Sequence, residues 1–174
     1  MKRKSQSLIK FIDGLHGHLV RSPLLRRNPQ GKTEQQIQTE LRSIIFNYMK
    51  KYFEQENRKN PAHCAKRAFY WEGQEGNFRE NKPETFASKN YPDFIIIRPY
   101  KIAIEYKKSG SGSVVKHAIG QSLLHTLGEE FDFVYCLFQD ETKEKRIMKS
   151  TKKEKEKNIV QLLWDEYNVY LKFI

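Results

Sequence analysis

A chain of 174 residues with 38% hydrophobic and 13% aromatic content carries enough apolar surface for one globular domain, and its net charge is +11. No apolar run approaches the roughly 20 residues that a membrane span needs. Asp13, His16 and His18 break the basic start, so it does not read as a signal peptide, and Cys64 and Cys136 match no metal spacing. These features fit a cytoplasmic or nucleoid-associated protein with two buried thiols, not a secreted one.

In chain order, residues 1–32 contain Pro23, Pro29 and several glycines and predict a basic N-terminal arm with at most a short helix. Thr33 is a candidate N-cap, and Ile37, Leu41, Ile44, Ile45, Tyr48 and Tyr52 then recur at helical spacing as a buried stripe. Residues 64–73 alternate as a first strand, with Phe69, Tyr70 and Trp71 as packing aromatics, and 73–90 read as a long loop or insertion. Two apolar strands follow at about 93–98 and 102–108, joined across Pro99 and Tyr100. A Gly/Ser loop, a helix over 114–128 closed by Gly128, a buried strand at 131–139, a helix at 158–167 and a last strand complete the chain. The order predicts an α/β fold built on a mixed sheet.

The charge is unevenly placed. Residues 1–32 hold eight Lys/Arg against Asp13 alone, a balance of +7. Residues 143–157 hold eight against Glu144, Glu154 and Glu156, a balance of +5, which leaves −1 for everything else. Such concentration is expected of a polyanion-binding arm and loop, although the second segment reads equally well as a solvated loop. Lys2, Arg3, Lys4, Arg26, Arg27 and Lys32 are the candidate backbone contacts of the arm, joined by Lys108 and Lys116 near the Gly/Ser loop.

The chemistry sits on the hairpin. Side chains alternate faces along a strand, so Glu105 and Lys107 share one side, and Asp93 shares a face with Ile95 and Ile97 on the antiparallel neighbour. Two carboxylates brought together on a half-buried surface repel unless a cation stands with them. Two carboxylates and the backbone carbonyl of Tyr106 are hard oxygen donors of the kind that suit Mg²⁺. Lys107 can then orient or help deprotonate an attacking water and stabilise charge on a phosphate. The competing explanation is a structural ion pair among the same three residues. The Ser109–Ser113 run lacks the spacing of a phosphate-binding loop, and His16 and His18 lack further ligands.

Pro92-Asp93 and, twelve positions after Asp93, Glu105-Tyr106-Lys107 together resemble the PD-(D/E)XK nuclease superfamily, which has the restriction-endonuclease-like fold. The resemblance covers about residues 33–139 and implies a core order α-β-β-β-α-β within a single domain over 33–174, with the helix and strand at 158–174 outside that core. It implies that a helix before the sheet brings a glutamate to the metal site; Glu34 leads the apolar stripe and is the better candidate, with Glu40 as competitor. It also implies that Gln121, on the helix after Lys107, approaches the site. The tyrosine that one subgroup carries four positions later is His125 here. By resemblance the expectation is a Mg²⁺-dependent DNA endonuclease, with Mn²⁺ as a substitute, of restriction, junction-resolving or mobile-element type. Asp93, Glu105, Glu34 and the Tyr106 carbonyl would hold the metal, and cutting both strands would require a homodimer. The alternatives are an inactive nucleic-acid-binding module of the same fold and a ribonuclease.

Overall fold

Leu8, Phe11, Ile12, Leu15 and Leu19 recur at helical spacing, and Gln6–Val20 form a 15-residue helix, α1, that buries all five. The segment expected to be an arm with at most a short helix is therefore a layer of the core. Its glycines are packing devices as much as breakers: a Cβ on Gly14 would lie 2.7 Å from the Tyr48 hydroxyl. That hydroxyl donates to the Phe11 carbonyl at 2.6 Å, so the two helices approach closely at this point. The structure, a computed structural model, describes residues 4–26, 31–72, 84–85, 88–89, 91–128 and 131–174, with backbone alone at 26, 84, 85, 88 and 89.

A single turn, α2 (Pro23–Arg26), leads to α3 (Glu34–Gln55). Thr33 caps α3 through a reciprocal pair: its hydroxyl accepts from Gln36 N at 3.2 Å, and its own N–H donates to Gln36 Oε1 at 2.8 Å. Ile37, Leu41, Ile45, Met49 and Phe53 are buried, while Ile44, Tyr48 and Tyr52 pack partly exposed beside them. The stretch expected to be a strand from Cys64 is divided: Pro61–Ala68 form helix α4, and only Phe69–Trp71 form β1. Asn60 starts α4 by accepting from His63 N at 3.1 Å, with Pro61 at the first helical position, a start signal that outweighs the weak alternation downstream.

Glu84–Thr85 (β2) and Ser88–Lys89 (β3) form a separate two-stranded ribbon, and the rest of the expected 73–90 loop lies outside the described residues apart from those positions. The main sheet is built from β1, β4 (Phe94–Ile96), β5 (Ile102–Ser109), β6 (Phe133–Asp140) and β7 (Val169–Phe173), in that spatial order. β4 is antiparallel to both its neighbours, β1 and β5; β5, β6 and β7 are parallel. Parallel neighbours need crossovers. Helix α5 (Gly112–Leu127) supplies the first; α6 (Arg146–Ser150) and α7 (Glu154–Tyr167) supply the second.

Strand alternation sorts the core into two layers. Ile102, Ile104, Tyr106, Phe133, Tyr135 and Leu137 face α1 and α3. Ile95, Ala103, Val134, Cys136, Val169 and Leu171 face α5 and α7 with Ala118 and Leu163. The protein is thus an α/β fold: an open mixed sheet of five strands between two helical layers. No helix among the described residues is long and apolar enough to cross a membrane.

Leu15 is fully buried on α1. Leu15→Ala is expected to lower unfolding free energy by about 2–5 kcal/mol in a denaturant titration, because the cavity cannot fully collapse. A disposable arm would show no change.

Candidate active site

The site begins where β4 gives out. The last antiparallel pair with β5 is Phe94–Ile104, yet β5 continues to Ser109. Beyond Ile104, the backbone N–H groups on this side of β5 have no β4 partner, and buried donors need acceptors. Two carboxylates serve instead. Asp93 Oδ2 accepts from Tyr106 N at 2.7 Å, and Glu34 Oε2 accepts from Lys108 N at 3.0 Å. The Tyr106 carbonyl leaves the strand on the same open side as its N–H.

Glu105 projects from β5 toward α5 and is 1% exposed. Its Oε1 meets His125 Nε2 at 3.0 Å, and its Oε2 lies 3.5 Å from Lys107 Nζ. Lys107 Nζ is also 3.6 Å from Glu34 Oε1 and 3.9 Å from Asp93 Oδ2. One ammonium therefore stands among three carboxylates contributed by α3, the start of β4 and β5. The structure brings together Glu34, Asp93, Glu105 and Lys107. Glu40 does not join them; it pairs with Lys32 at the exposed surface of α3.

Burial, then the charge of Glu105, raises the Asp93 pKa to about 7, against the opposing effects of Lys107 and the Tyr106 N–H. Burial alone would lower the Lys107 pKa, but Asp93, Glu105 and Glu34 together outweigh it and the net shift is upward. Lys107 therefore stays cationic at neutral pH. Cys136, paired with Glu105 across the β5–β6 ladder, is pushed up to about 12 by burial and by that carboxylate. It is not a thiolate ligand at neutral pH.

Gln121 and His125 lie one turn apart on α5 and share a face. Gln121 Oε1 is buried with no hydrogen-bond partner among the described residues, an acceptor left without a donor. The oxygen set of Asp93, Glu105, the Tyr106 carbonyl and Gln121 is of the type a hard divalent cation takes. Among the described residues, however, no three His, Cys, Asp or Glu side chains stand at ligating spacing around one point. The Lys107 ammonium lies between the acids instead. Gln121 is legible in the sequence as a site candidate, whereas the only signal for His125 is its i+4 spacing from Gln121.

The basic candidates are scattered. Lys108 is tied down, donating to the Lys32 carbonyl at 2.6 Å and pairing with Glu141 at 2.8 Å. Lys116 is exposed in the first turns of α5, at the carboxyl end of β5. Lys4 donates to the Asp165 carbonyl at 2.9 Å and lies over the Trp164 ring, at the amino end of β6. Lys2, Arg3, Arg27 and the Arg26 side chain lie outside the described residues. His16 is engaged with the Tyr135 hydroxyl at 2.8 Å.

No family model, curated protein or solved structure matches the chain.

The raised pKa of Asp93 has a stability consequence. Its folded value, about 7, lies above the ordinary 3.8, so the folded protein binds more protons than the unfolded chain between these values. This contribution is complete below about pH 4 and is lost as pH rises through about 7. Asp93→Asn keeps an acceptor for Tyr106 N–H without the charge. Its melting temperature is expected to exceed that of wild type at pH 8, with the difference closing toward pH 4. A variant less stable than wild type at pH 8 would contradict a frustrated acid at this position.

Proposed function

We propose that the protein is a metal-dependent nuclease that hydrolyses phosphodiester bonds in DNA. The carrying observation is the convergence of Glu34, Asp93 and Glu105 on Lys107 at 3.5–3.9 Å, at the open edge of β5. A structural ion pair needs one acid per base. Three acids around one ammonium leave negative charge unbalanced on a largely buried site, and a second cation would neutralise it.

Asp93, Glu105 and the Tyr106 carbonyl would hold Mg²⁺, or Mn²⁺ in its place, with Glu34 completing the set directly or through water. When bound, such an ion supplies Lewis-acid stabilisation of phosphoryl charge and lowers the pKa of water. The protein's own groups do the rest. Lys107, held cationic by its three neighbours, acts by charge on the attacked phosphate and orients the attacking water. His125 holds Glu105 by one oxygen and leaves the other turned toward Lys107. Gln121 offers an unpartnered amide oxygen from α5. The Pro-Asp and Glu-x-Lys spacing of the PD-(D/E)XK nucleases supports the same reading, and two copies would serve a cut through both strands.

The test is incubation of purified protein with supercoiled, linear, branched and single-stranded DNA, and with RNA, in Mg²⁺ or in EDTA. Wild type is expected to cut DNA only with the divalent ion. Lys107→Ala is expected to lose about 10²–10³-fold in rate, with circular dichroism unchanged. If wild type cuts nothing with any divalent ion, or Lys107→Ala cuts as fast as wild type, the reading fails. Salt-sensitive DNA binding without cleavage would point instead to a binding module.

A further inference from the structure

Lys4, the first described residue of the amino terminus, and the basic segment 143–157 lie at opposite ends of the sheet. Lys4 sits against Trp164, whose ring packs on Phe133 at the start of β6. Lys107 is paired in register with Phe138, five residues further along that strand, or about 16 Å at 3.3 Å per residue. The segment 143–157 starts at the near end. It springs from Asp140, which is in register with Ser109, two residues beyond Lys107 and one strand over.

This segment is a built structure and not a slack loop. The buried Asp140 carboxylate accepts from Thr142 N at 2.8 Å, Thr142 Oγ1 at 2.6 Å and Met148 N at 2.8 Å. Lys145 Nζ donates to the Asp140 carbonyl at 2.6 Å. Glu144 and Lys145 are held in the left-handed region at φ 60° and 54°, where residues other than glycine stay only if their surroundings dictate it. Two contacts bind the segment to the site strand: Glu141 N donates to the Ser109 carbonyl at 3.0 Å, and Glu141 pairs with Lys108 at 2.8 Å. With Lys145 tied inward, Lys143, Arg146, Lys149, Lys152 and Lys153 are left exposed. Of these, Lys149 lies 3.9 Å from Glu144, a contact between two largely exposed side chains that is worth little.

We propose that the exposed bases of segment 143–153, and not those of the amino terminus, hold the sugar–phosphate backbone of the substrate against the Lys107 site. The proposal rests on the nuclease reading for its placement, but it concerns binding alone. Fixed cations beside the site supply the sequence-independent attraction that a polyanion needs. A lipid surface fits less well, because Ile147 and Met148 are the only large apolar side chains in this segment and both are half-buried, so neither is free to insert.

The experiment measures binding of a short fluorescent DNA duplex, in EDTA, across a series of KCl concentrations. Lys149→Ala/Lys152→Ala/Lys153→Ala is expected to weaken binding at least about ten-fold near 0.1 M salt. It should also flatten the slope of log affinity against log salt by about 2–3, since each lost phosphate contact removes ~0.9. Lys2→Ala/Arg3→Ala/Lys4→Ala should leave that slope unchanged. A loop variant with the wild-type slope would overturn the proposal, as would binding to phosphatidylserine vesicles but not to DNA. Because binding is measured without a divalent ion, a wild type that binds through this loop yet cuts nothing when Mg²⁺ or Mn²⁺ is supplied would sink the nuclease reading and leave this one standing.

Discussion

The edge of β5 beyond Ile104 is the constraint on which the rest depends. A strand that outruns its neighbour leaves N–H groups on a buried edge, and each must find an acceptor or cost free energy. Here the acceptors are carboxylates, Asp93 for Tyr106 and Glu34 for Lys108. That choice brings negative charge into the protein's interior. It also draws the first turn of α3 to the end of the sheet, and so fixes how a helix on one face relates to α5 on the other. The site is the place where β4 stops early.

Charge then decides what that place can do. Glu105 is anchored from behind by His125, with both side chains 1% exposed, so its carboxylate cannot swing out to water. Asp93 is held by a backbone bond and pushed toward neutrality by burial and by Glu105. Lys107 answers all three acids and answers none of them fully, since no separation is shorter than 3.5 Å. Stability alone would favour apolar residues at these positions. Gathering three acids and one base around the end of a strand otherwise as apolar as Ile102–Ile104 therefore costs stability.

Much of this was legible in the sequence, for reasons that can be named. Period-2 alternation is rigid, so Asp93, Glu105 and Lys107 could be gathered on one face before any coordinates, and the helical stripe after Thr33 could be oriented toward the sheet. The failures have equally local causes. Gly14 and Gly17 read as helix breakers, but Gly14 stands where Tyr48 crosses α1, a tertiary contact that no local pattern carries. Residues 64–68 alternate weakly, while the Asn60–Pro61 start signal lies upstream of them. His125 was visible only as a residue four places from Gln121; its bond to Glu105 depends on the α5 crossover setting that face on β5. The end of the sheet at which Lys4 and segment 143–157 lie is a property of topology, and charge counting along the chain could not supply it.

The proposed function requires that these acids and their lysine bind a cation and are not a structural ion cluster. Calorimetric titration of Mn²⁺ into the purified protein, beside Asp93→Asn and Glu105→Gln, tests it without reference to any substrate. Saturable binding to wild type is expected, and either substitution should abolish it or weaken it at least about ten-fold, as loss of a ligating carboxylate requires. Absence of binding to wild type, or equal binding to all three proteins, would contradict it.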